Sequence, residues 1–538
     1  MPFISVVIPT YRPRRRYLRE AIESVRRQRY RNWELCIVDD GSCDPRVARM
    51  LREHAARDGR IRVEVLERNR GISEASNRAL AMCKGEFVAF LDHDDAISPH
   101  ALLEVARAIR SEPAPDVVYS DQDKLTARGS RLAPFLKPDW SPVYALGAMY
   151  VGHLLAVRAS LVDEVGGFDP GFDGIQDFEL LLRVSERTDR IRHLPRVLYH
   201  WRAIPGSIAA GVEEKSGVAE LQARAVSEHL RRRGVAARAL PHPVIPHRAR
   251  LVGEPSGRRP AVSVIVPRTG ERRDLDRCLD SVRRTEYPDL ELIVEEPEPG
   301  RGIPATLNRG AARATGDHLV FLAPQVEIVD PGWIDEILLH AGLPGVGIVG
   351  PLFLYPDGRV RDAGLALRRW QPNGSPRDGR PGRSPAATRT SAWWHGASPA
   401  EPIMRGALAD ADGYYGSLSC AREAGAVSGD CMAVSRGAFE GAGRFGEQYR
   451  ARYHDVDLCL RVRELGLEVV WTPRPRVVVH DPPPASLPDD VVDRALLVDT
   501  WYDALDRGDR YLNPGLSLAM TPESEPRPGL LDRIASRL

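Results

Sequence analysis

Apolar positions along this chain alternate between two rhythms. Unbroken runs, Ser5-Val6-Val7-Ile8-Pro9, Glu34-Leu35-Cys36-Ile37-Val38 and Phe87-Val88-Ala89-Phe90-Leu91, have the length and composition of buried strands. Between them Leu18, Ala21, Ile22 and Val25 recur at i, i+3, i+4 and i+7, the stripe of an amphipathic helix. A second helix is expected from Gly71-Ile72 through Asn77-Arg78 to Gly85. Strand–helix–strand–helix–strand with short apolar strands implies right-handed crossovers and a mainly parallel sheet covered on both faces.

The whole pattern then returns. Ser263-Val264-Ile265-Val266-Pro267 repeats the first strand, Leu275, Cys278, Leu279 and Val282 the first helix, and Glu291-Leu292-Ile293-Val294 the second strand. Gly302-Ile303, Asn308-Arg309 and Gly316 repeat the second helix, and Phe321-Leu322 repeats Phe90-Leu91. Two tandem doubly wound, Rossmann-like α/β domains are expected, residues 1–212 and 261–515. Residues 213–260 read as a helical segment (Ala219, Leu221, Ala225, Leu230) followed by a Pro-, His- and Arg-rich linker near Pro241–Pro260. Residues 368–402 lack periodicity and read as a mobile loop, whose Trp393-Trp394 pair suits a ligand or a small local core equally. The tail, 516–538, ends in the short amphipathic pattern Leu530–Leu538, which suits a frayed terminal helix better than a membrane-surface one.

A net charge of +1 over 538 residues creates no field that would draw nucleic acid or an anionic membrane. Seven cysteines without C-x-x-C spacing suggest neither zinc nor a disulfide framework, as in a reducing compartment. The first strand begins at once, so no signal peptide is expected, and no apolar run approaches the roughly 18–20 residues of a membrane span. A cytoplasmic location is expected, with peripheral contact at the inner face of the plasma membrane left open.

Chemistry concentrates where strands end. Leu91-Asp92-His93-Asp94-Asp95 bunches three carboxylates after a buried strand, which costs free energy unless a cation sits among them. Oxygen ligands of this kind suit a hard divalent ion and a diphosphate, although Asp94 or Asp95 could equally cap the following helix. Asp39, in Val38-Asp39-Asp40-Gly41-Ser42, is placed to accept hydrogen bonds from a base or ribose, or simply serves a turn. Pro9-Thr10-Tyr11 serves as a nucleotide wall or as a plain loop. Asp177 precedes a helical run and is either its cap or a proton acceptor beside a sugar carbon. His200, in Tyr199-His200-Trp201, contacts a metal or phosphate only if the fold brings it to Asp94.

Together these pieces resemble the inverting family 2 glycosyltransferases of GT-A fold. The resemblance rests on Val6-Val7-Ile8-Pro9-Thr10-Tyr11, Val38–Ser42, Asn69–Ser73 with Asn77, Leu91–Asp95 and Gln176–Leu180. Tyr119–Lys124, Phe135–Trp140, Leu198–Arg202, Asp455–Arg461 and Tyr511–Pro514 point to tandem-domain proteins of O-antigen and rhamnan-type polysaccharide assembly. The resemblance implies sugar transfer from a dTDP-, UDP- or GDP-linked donor to a glycan or polyprenyl-linked acceptor. It implies Asp39 at the base or ribose, and Asp92 and Asp94 as the D-x-D motif at ribose and a Mg²⁺ or Mn²⁺. Asp177 is then the general base and His200 a third metal contact. Gln122 stands where relatives commonly carry Glu, which leaves the sugar or acceptor role of Tyr119–Lys124 open.

In the second copy Asp92–Asp95 fall on Ala323-Pro324-Gln325-Val326, and Asp40-Gly41-Ser42 on Pro297-Glu298-Pro299. Asp455 and Asp457 still match Asp177 and Glu179, and His480 is aligned with His200. The donor-metal half is thus expected to be lost and the acceptor half retained, with Trp201, Asp455 and Asp457 as acceptor-site candidates. Two alternatives stay open: a bifunctional transferase with a metal-independent second site, and a non-catalytic glycan-binding scaffold.

Overall fold

The computed structural model describes residues 1–127, 129–203, 217–254, 259–368, 398–480 and 488–518. The Trp393-Trp394 pair, most of the 368–402 loop and the amphipathic tail pattern lie outside the described residues. The described residues form two compact units, Met1–Trp140 with Ala145–Val252, and Ser141–Tyr144 with those from Gly253 to Leu518.

The strands and helices of the first part are β1 (Ile4–Thr10), α1 (Arg15–Arg26), β2 (Trp33–Asp39), α2 (Pro45–Arg57), β3 (Ile61–Val65), α3 (Ile72–Met82), β4 (Phe87–Phe90), β5 (Ala96–Ile97) and α4 (Ala101–Ile109). They continue with β6 (Val117–Leu125), β7 (Arg131–Phe135), α5 (Pro142–Gly147), β8 (Leu155–Arg158), α6 (Ala159–Glu164), α7 (Gln176–Ser185) and β9 (Ile191–Arg202). The unit ends with α8 (Val218–Arg232), β10 (Ala237–Pro241) and β11 (Ala249–Gly253).

The main sheet runs β3-β2-β1-β4-β8-β6-β9-β5, with β7 on β6. β1 pairs in parallel with both β2 and β4. Chain order therefore reverses between β1 and β4, which opens a crevice at their carboxyl ends. Beyond β4 the sheet is mixed, because β8 runs antiparallel to β4 and β6. Ile4, Val6 and Ile8 of β1 join one core with α1, α2 and α4. α3 lies against β1 and β2, where Val7 and Cys36 are equally buried. Helix α1 makes no side-chain cap bond, a loss of about 0.5–2 kcal/mol. Its fully buried Leu18, Ile22 and Val25 contribute about 1.5–3 kcal/mol each, so packing rather than capping sets the helix. The stretch expected as linker near Pro241–Pro260 contains β11, which pairs with β10 just before it in a two-stranded sheet whose alternate residues are buried.

The second unit repeats the order from β2 onward: strands Leu290–Glu295, Val262–Pro267, His318–Leu322, Cys431–Ser435, Val346–Leu354, Glu468–Val479 and Val326–Ile328. The first unit inserts α2 and β3 where the second has only residues 296–302. The likeness reaches individual bonds. Ser5 Oγ donates to Glu34 and accepts from Gly85 N (2.6 and 2.9 Å), and Ser263 links Glu291 and Gly316 in the same way. Asn77 clasps the Phe168 peptide from both sides (2.8 Å each), and Asn308 clasps Phe445.

Candidate active site

Three strand ends build the crevice. β1 and β2 are in register to their tips, so Thr10 stands beside Asp39. The Thr10 hydroxyl is buried without a hydrogen-bond partner among the described residues, an expensive arrangement unless a ligand supplies one. Asp39 accepts from the amide and hydroxyl of Ser42, and burial raises its carboxyl above the usual range. Arg12 N donates to Ser42 Oγ (2.8 Å), which ties the β1 and β2 loops together. Tyr11 is exposed at the rim and Pro9 half-buried. Asp40 is a loop anchor: it accepts from Asn69 Nδ2, Arg70 N and Gly71 N (2.7, 2.8 and 3.0 Å). Gly41, at φ +66°, sits against the Arg68–Asn69 backbone, where a Cβ would come within 2.4 Å.

Asp92 and Asp94 follow β4. Asp95 does not share their surroundings: it is buried and accepts from the Tyr199 hydroxyl (2.6 Å) and Arg202 N (2.7 Å). Arg202, also buried, donates through Nε to the Asp94 carbonyl (2.5 Å) and pairs with Glu20 (2.7 Å). Asp95 and Arg202 thus fix the turn that presents Asp92 and Asp94. Loss of surrounding water raises the Asp92 carboxyl; His153 opposes this, and Asp94 and Asp177 add to it by repulsion.

Asp177 stands in the first turn of α7, where Oδ1 accepts from Phe178 N (2.9 Å). Its Oδ2 lies 3.8 Å from His153 Nε2, which lies 3.5 Å from Asp92 Oδ2. Asp92 and Asp177 keep 39% and 24% of their side-chain surface open, so both face the crevice rather than the core. His153 is the residue the motifs missed. Only the antiparallel pairing of β8 on β4, Phe90 opposite Leu155, carries it to Asp92.

His200 lies on β9 opposite Ala96, with Nδ1 bound to Asp123 (2.7 Å), which also holds Arg131 (2.5 Å). Among the described residues no three His, Cys, Asp or Glu side chains form a ready-made metal site. The Asp92 and Asp94 carboxylates, whose repulsion is opposed by His153, nevertheless would suit a hard divalent ion, which takes oxygen ligands and accepts phosphate oxygens beside them. The Tyr119–Lys124 strand is structural rather than sugar-facing over Tyr119, Asp121 and Gln122, all buried. Tyr119 stacks on His193, Asp121 binds His193 (2.9 Å), and Gln122 Oε1 accepts from Lys137 Nζ (3.1 Å) and His153 N (3.2 Å). Trp201 is half-buried against the first-unit core.

Lys137 is fully buried, and the carbonyls of Ser120 (2.6 Å), His153 (2.7 Å) and Val151 also surround its Nζ, so that with Gln122 four acceptors compete for its N–H groups. Burial pushes its amine down to about 7 from an ordinary 10.5, while Asp121 opposes the shift. Between those values the unfolded chain holds the extra proton, so rising pH favours folding, by up to about 1.4 kcal/mol per pH unit. Denaturant unfolding of wild type and Lys137→Met should therefore show the wild type gaining on the variant from pH 7 to pH 9. A gap that narrows would contradict this.

The second crevice has the register but not the groups. Val262 faces His318 as Ile4 faces Phe87, which puts Ala323 and Gln325 at the positions of Asp92 and Asp94. Asp430 takes the position of His153. Its carboxylate is spent on Gln325 (3.2 Å) and Arg361 (2.8 Å). Asp455 Oδ2, the counterpart of the oxygen facing His153, accepts Gly429 N (2.8 Å). Asp457, an acceptor-site candidate, is 2% exposed and bound by Arg461 (2.7 Å) and Trp501 Nε1 (2.9 Å). One expectation is corrected. His480 does not occupy the place of His200. Strand pairing gives that place to Val478, opposite Glu327 and Leu354, while His480 lies two residues on and binds Glu327 (2.6 Å).

Residues 5–166 match the profile of glycosyl transferase family 2. That match spans the part of the first unit from β1 through α6. The chain is 36% identical over 558 aligned positions to an O-antigen biosynthesis protein of Myxococcus xanthus, RfbC, covering 97% of this chain and 41% of the relative. It is 35% identical to an uncharacterized protein of Sinorhizobium fredii, y4gI, covering 89% of this chain and 53% of the relative. The chain thus spans about half, or less, of the length of these relatives. A crystal structure of S. aureus TarS in complex with UDP-GlcNAc is similar at 22% identity, covering 42% of this chain and 66% of that one, with a TM-score of 0.36. Within the first unit, Thr10 and Asp39 stand at the carboxyl ends of the adjacent strands β1 and β2, and Asp92 and Asp94 follow the carboxyl end of β4. No helix among the described residues is long and apolar enough to cross a membrane.

Proposed function

We propose that this chain transfers a sugar, with inversion, from a nucleotide-diphosphate sugar to a glycan or lipid-linked acceptor in cell-surface polysaccharide assembly. The observation that carries the reading is the convergence of Asp92 and Asp177 on one histidine at the mouth of a crevice walled by Thr10 and Asp39. The family match and the O-antigen relative support the same reading.

Thr10 and Asp39 receive the nucleoside, the carboxylate accepting from ribose or base. Asp94, with Asp92, would hold Mg²⁺ or Mn²⁺. Such an ion, when bound, offsets the charge of the departing nucleoside diphosphate. Arg202 and Asp95 hold the Asp92–Asp94 turn rigid, so little is lost to reorganisation. Asp177 Oδ2 accepts the proton of the attacking hydroxyl as that oxygen bonds to the anomeric carbon and the carbon–phosphate oxygen bond breaks. Attack opposite the leaving group inverts the centre and requires no bond to the enzyme. Donor identity, dTDP-, UDP- or GDP-linked, follows from contacts no motif specifies, and peripheral membrane contact through a lipid-linked acceptor is compatible with this scheme.

The second unit has no role in donor chemistry on this reading. Gln325, Asp430 and Arg361 satisfy one another there. Incubation with each donor and cell-wall oligosaccharides, followed by proton NMR of the product anomer, tests the proposal. A product of opposite anomeric configuration supports it; a retained configuration overturns the displacement scheme.

A further inference from the structure

We infer that His153 is a positioning residue that ties the base Asp177 to the donor platform at Asp92. The inference rests on the functional reading above and names a group that reading does not require. His153 Nε2 lies 3.5 Å from Asp92 Oδ2 and 3.8 Å from Asp177 Oδ2. Both distances exceed a formed N–H···O bond. The Nε2 edge of the ring stands between two carboxylates that would otherwise repel. Nδ1 is buried without a partner among the described residues. A proton there would be an unsatisfied donor, so the neutral ring carries its proton on Nε2, toward the carboxylates. When a donor engages Asp92, that N–H is left to Asp177 and fixes which oxygen faces the acceptor.

The ring itself is held with unusual thoroughness. It stacks on Tyr199, with centroids 4.9 Å apart and planes at 26°. The Tyr199 hydroxyl donates to Asp95 (2.6 Å) and accepts from Asp92 N (3.3 Å), so the same aromatic ring supports both the histidine and the donor turn. The His153 peptide is clamped at both ends: its N–H donates to Gln122 Oε1 (3.2 Å) and its carbonyl accepts from Lys137 Nζ (2.7 Å). Lys137 and Gln122 are joined to each other (3.1 Å). A buried lysine spent on one loop is costly unless the loop's position matters.

The second unit supplies an internal control. There the position of His153 is Asp430, and the register that pairs Phe353 with Asp362 as Gln122 pairs with Phe135 puts Phe353 and Gly364 at the places of Gln122 and Lys137. The carboxylates of the donor platform, the bridging histidine and its clamp are missing together. A clamp that served only the stability of the fold had no reason to vanish with the acidic pair, since the surrounding strands keep their order.

The test uses the full chain with Mn²⁺ and UDP-N-acetylglucosamine, dTDP-rhamnose and GDP-mannose, reading release of nucleoside diphosphate with water as acceptor. His153→Phe keeps the stacking on Tyr199 but has no N–H; His153→Gln keeps an N–H at similar reach. The Phe variant should lower kcat about 10–100-fold, with nucleotide affinity within about threefold of wild type. The Gln variant should recover most of the loss. Wild-type kcat in the Phe variant overturns the inference, as does equal loss in both variants together with loss of nucleotide binding. Asp177→Asn in the same assay separates the two readings. An active Asp177→Asn overturns the proposed function; an inactive one beside a fully active His153→Phe overturns only the positioning role. No turnover of any of the three donors by wild type overturns both.

Discussion

Replacing Asp177 with Asn is expected to lower kcat about 10²–10⁴-fold, the range that a positioned general base contributes. At about 1.36 kcal/mol per tenfold, that is roughly 3–5 kcal/mol of transition-state stabilisation. The fold should survive, because the bond that Asp177 Oδ1 accepts from Phe178 N is kept by an amide oxygen. Nucleotide affinity should change little, since Asp177 meets the donor platform through His153 and through charge repulsion with Asp92, whose removal does not disfavour a bound nucleotide–metal pair. The matched control is Asp455→Asn, which alters the corresponding helix start in the second unit and should leave turnover within about twofold. Steady-state kinetics with each donor decides between these outcomes. Equal losses at Asp177 and Asp455 would mean that both units perform transfer.

Asp94→Ala is expected to remove metal-dependent donor binding and to lower turnover by about 10³-fold or more, because the cation's charge compensation is worth several kcal/mol. Stability should not fall, and relief of the crowding among Asp92, Asp94 and Asp95 favours a small gain. Asp95→Ala has the opposite signature. Its carboxylate is buried and bound to Tyr199 and Arg202, so its loss is expected to destabilise the unit by about 1–3 kcal/mol before any effect on the metal is considered. Thermal unfolding beside nucleotide binding tells the two aspartates apart.

The sequence repeat made the two-unit fold legible, since Ser5–Glu34–Gly85 and Ser263–Glu291–Gly316 keep both spacing and bonding. The position of Asp39 and Asp92–Asp94 at the crevice was legible because they end the apolar strands β2 and β4, which both run parallel to β1. His153 was not. Nothing about Gly152-His153-Leu154 marks it, and only the β4–β8 register brings it to Asp92. Lys137 was not legible as a clamp, because its four acceptors come from two segments, residues 120–122 and 151–153, both distant from it in sequence. Asp457 looked like a site residue because it sits beside Asp455. Its i,i+4 spacing to Arg461, repeated as Glu179 and Arg183, was the signal that it locks a helix. His480 misled because matching sequence letters ignores pairing: Glu327 faces Val478, two residues earlier.

Of the two similar crevices the first carries the acidic pair Asp92 and Asp94, and the second has Ala323 and Gln325 at those positions. Calorimetric titration of the full chain with UDP, dTDP and GDP, with and without Mn²⁺, tests the consequence of that difference most directly, beside Asp94→Ala. The account predicts one metal-dependent site per chain for a single nucleotide, absent in the variant. Two sites, or one that survives Asp94→Ala, would contradict it.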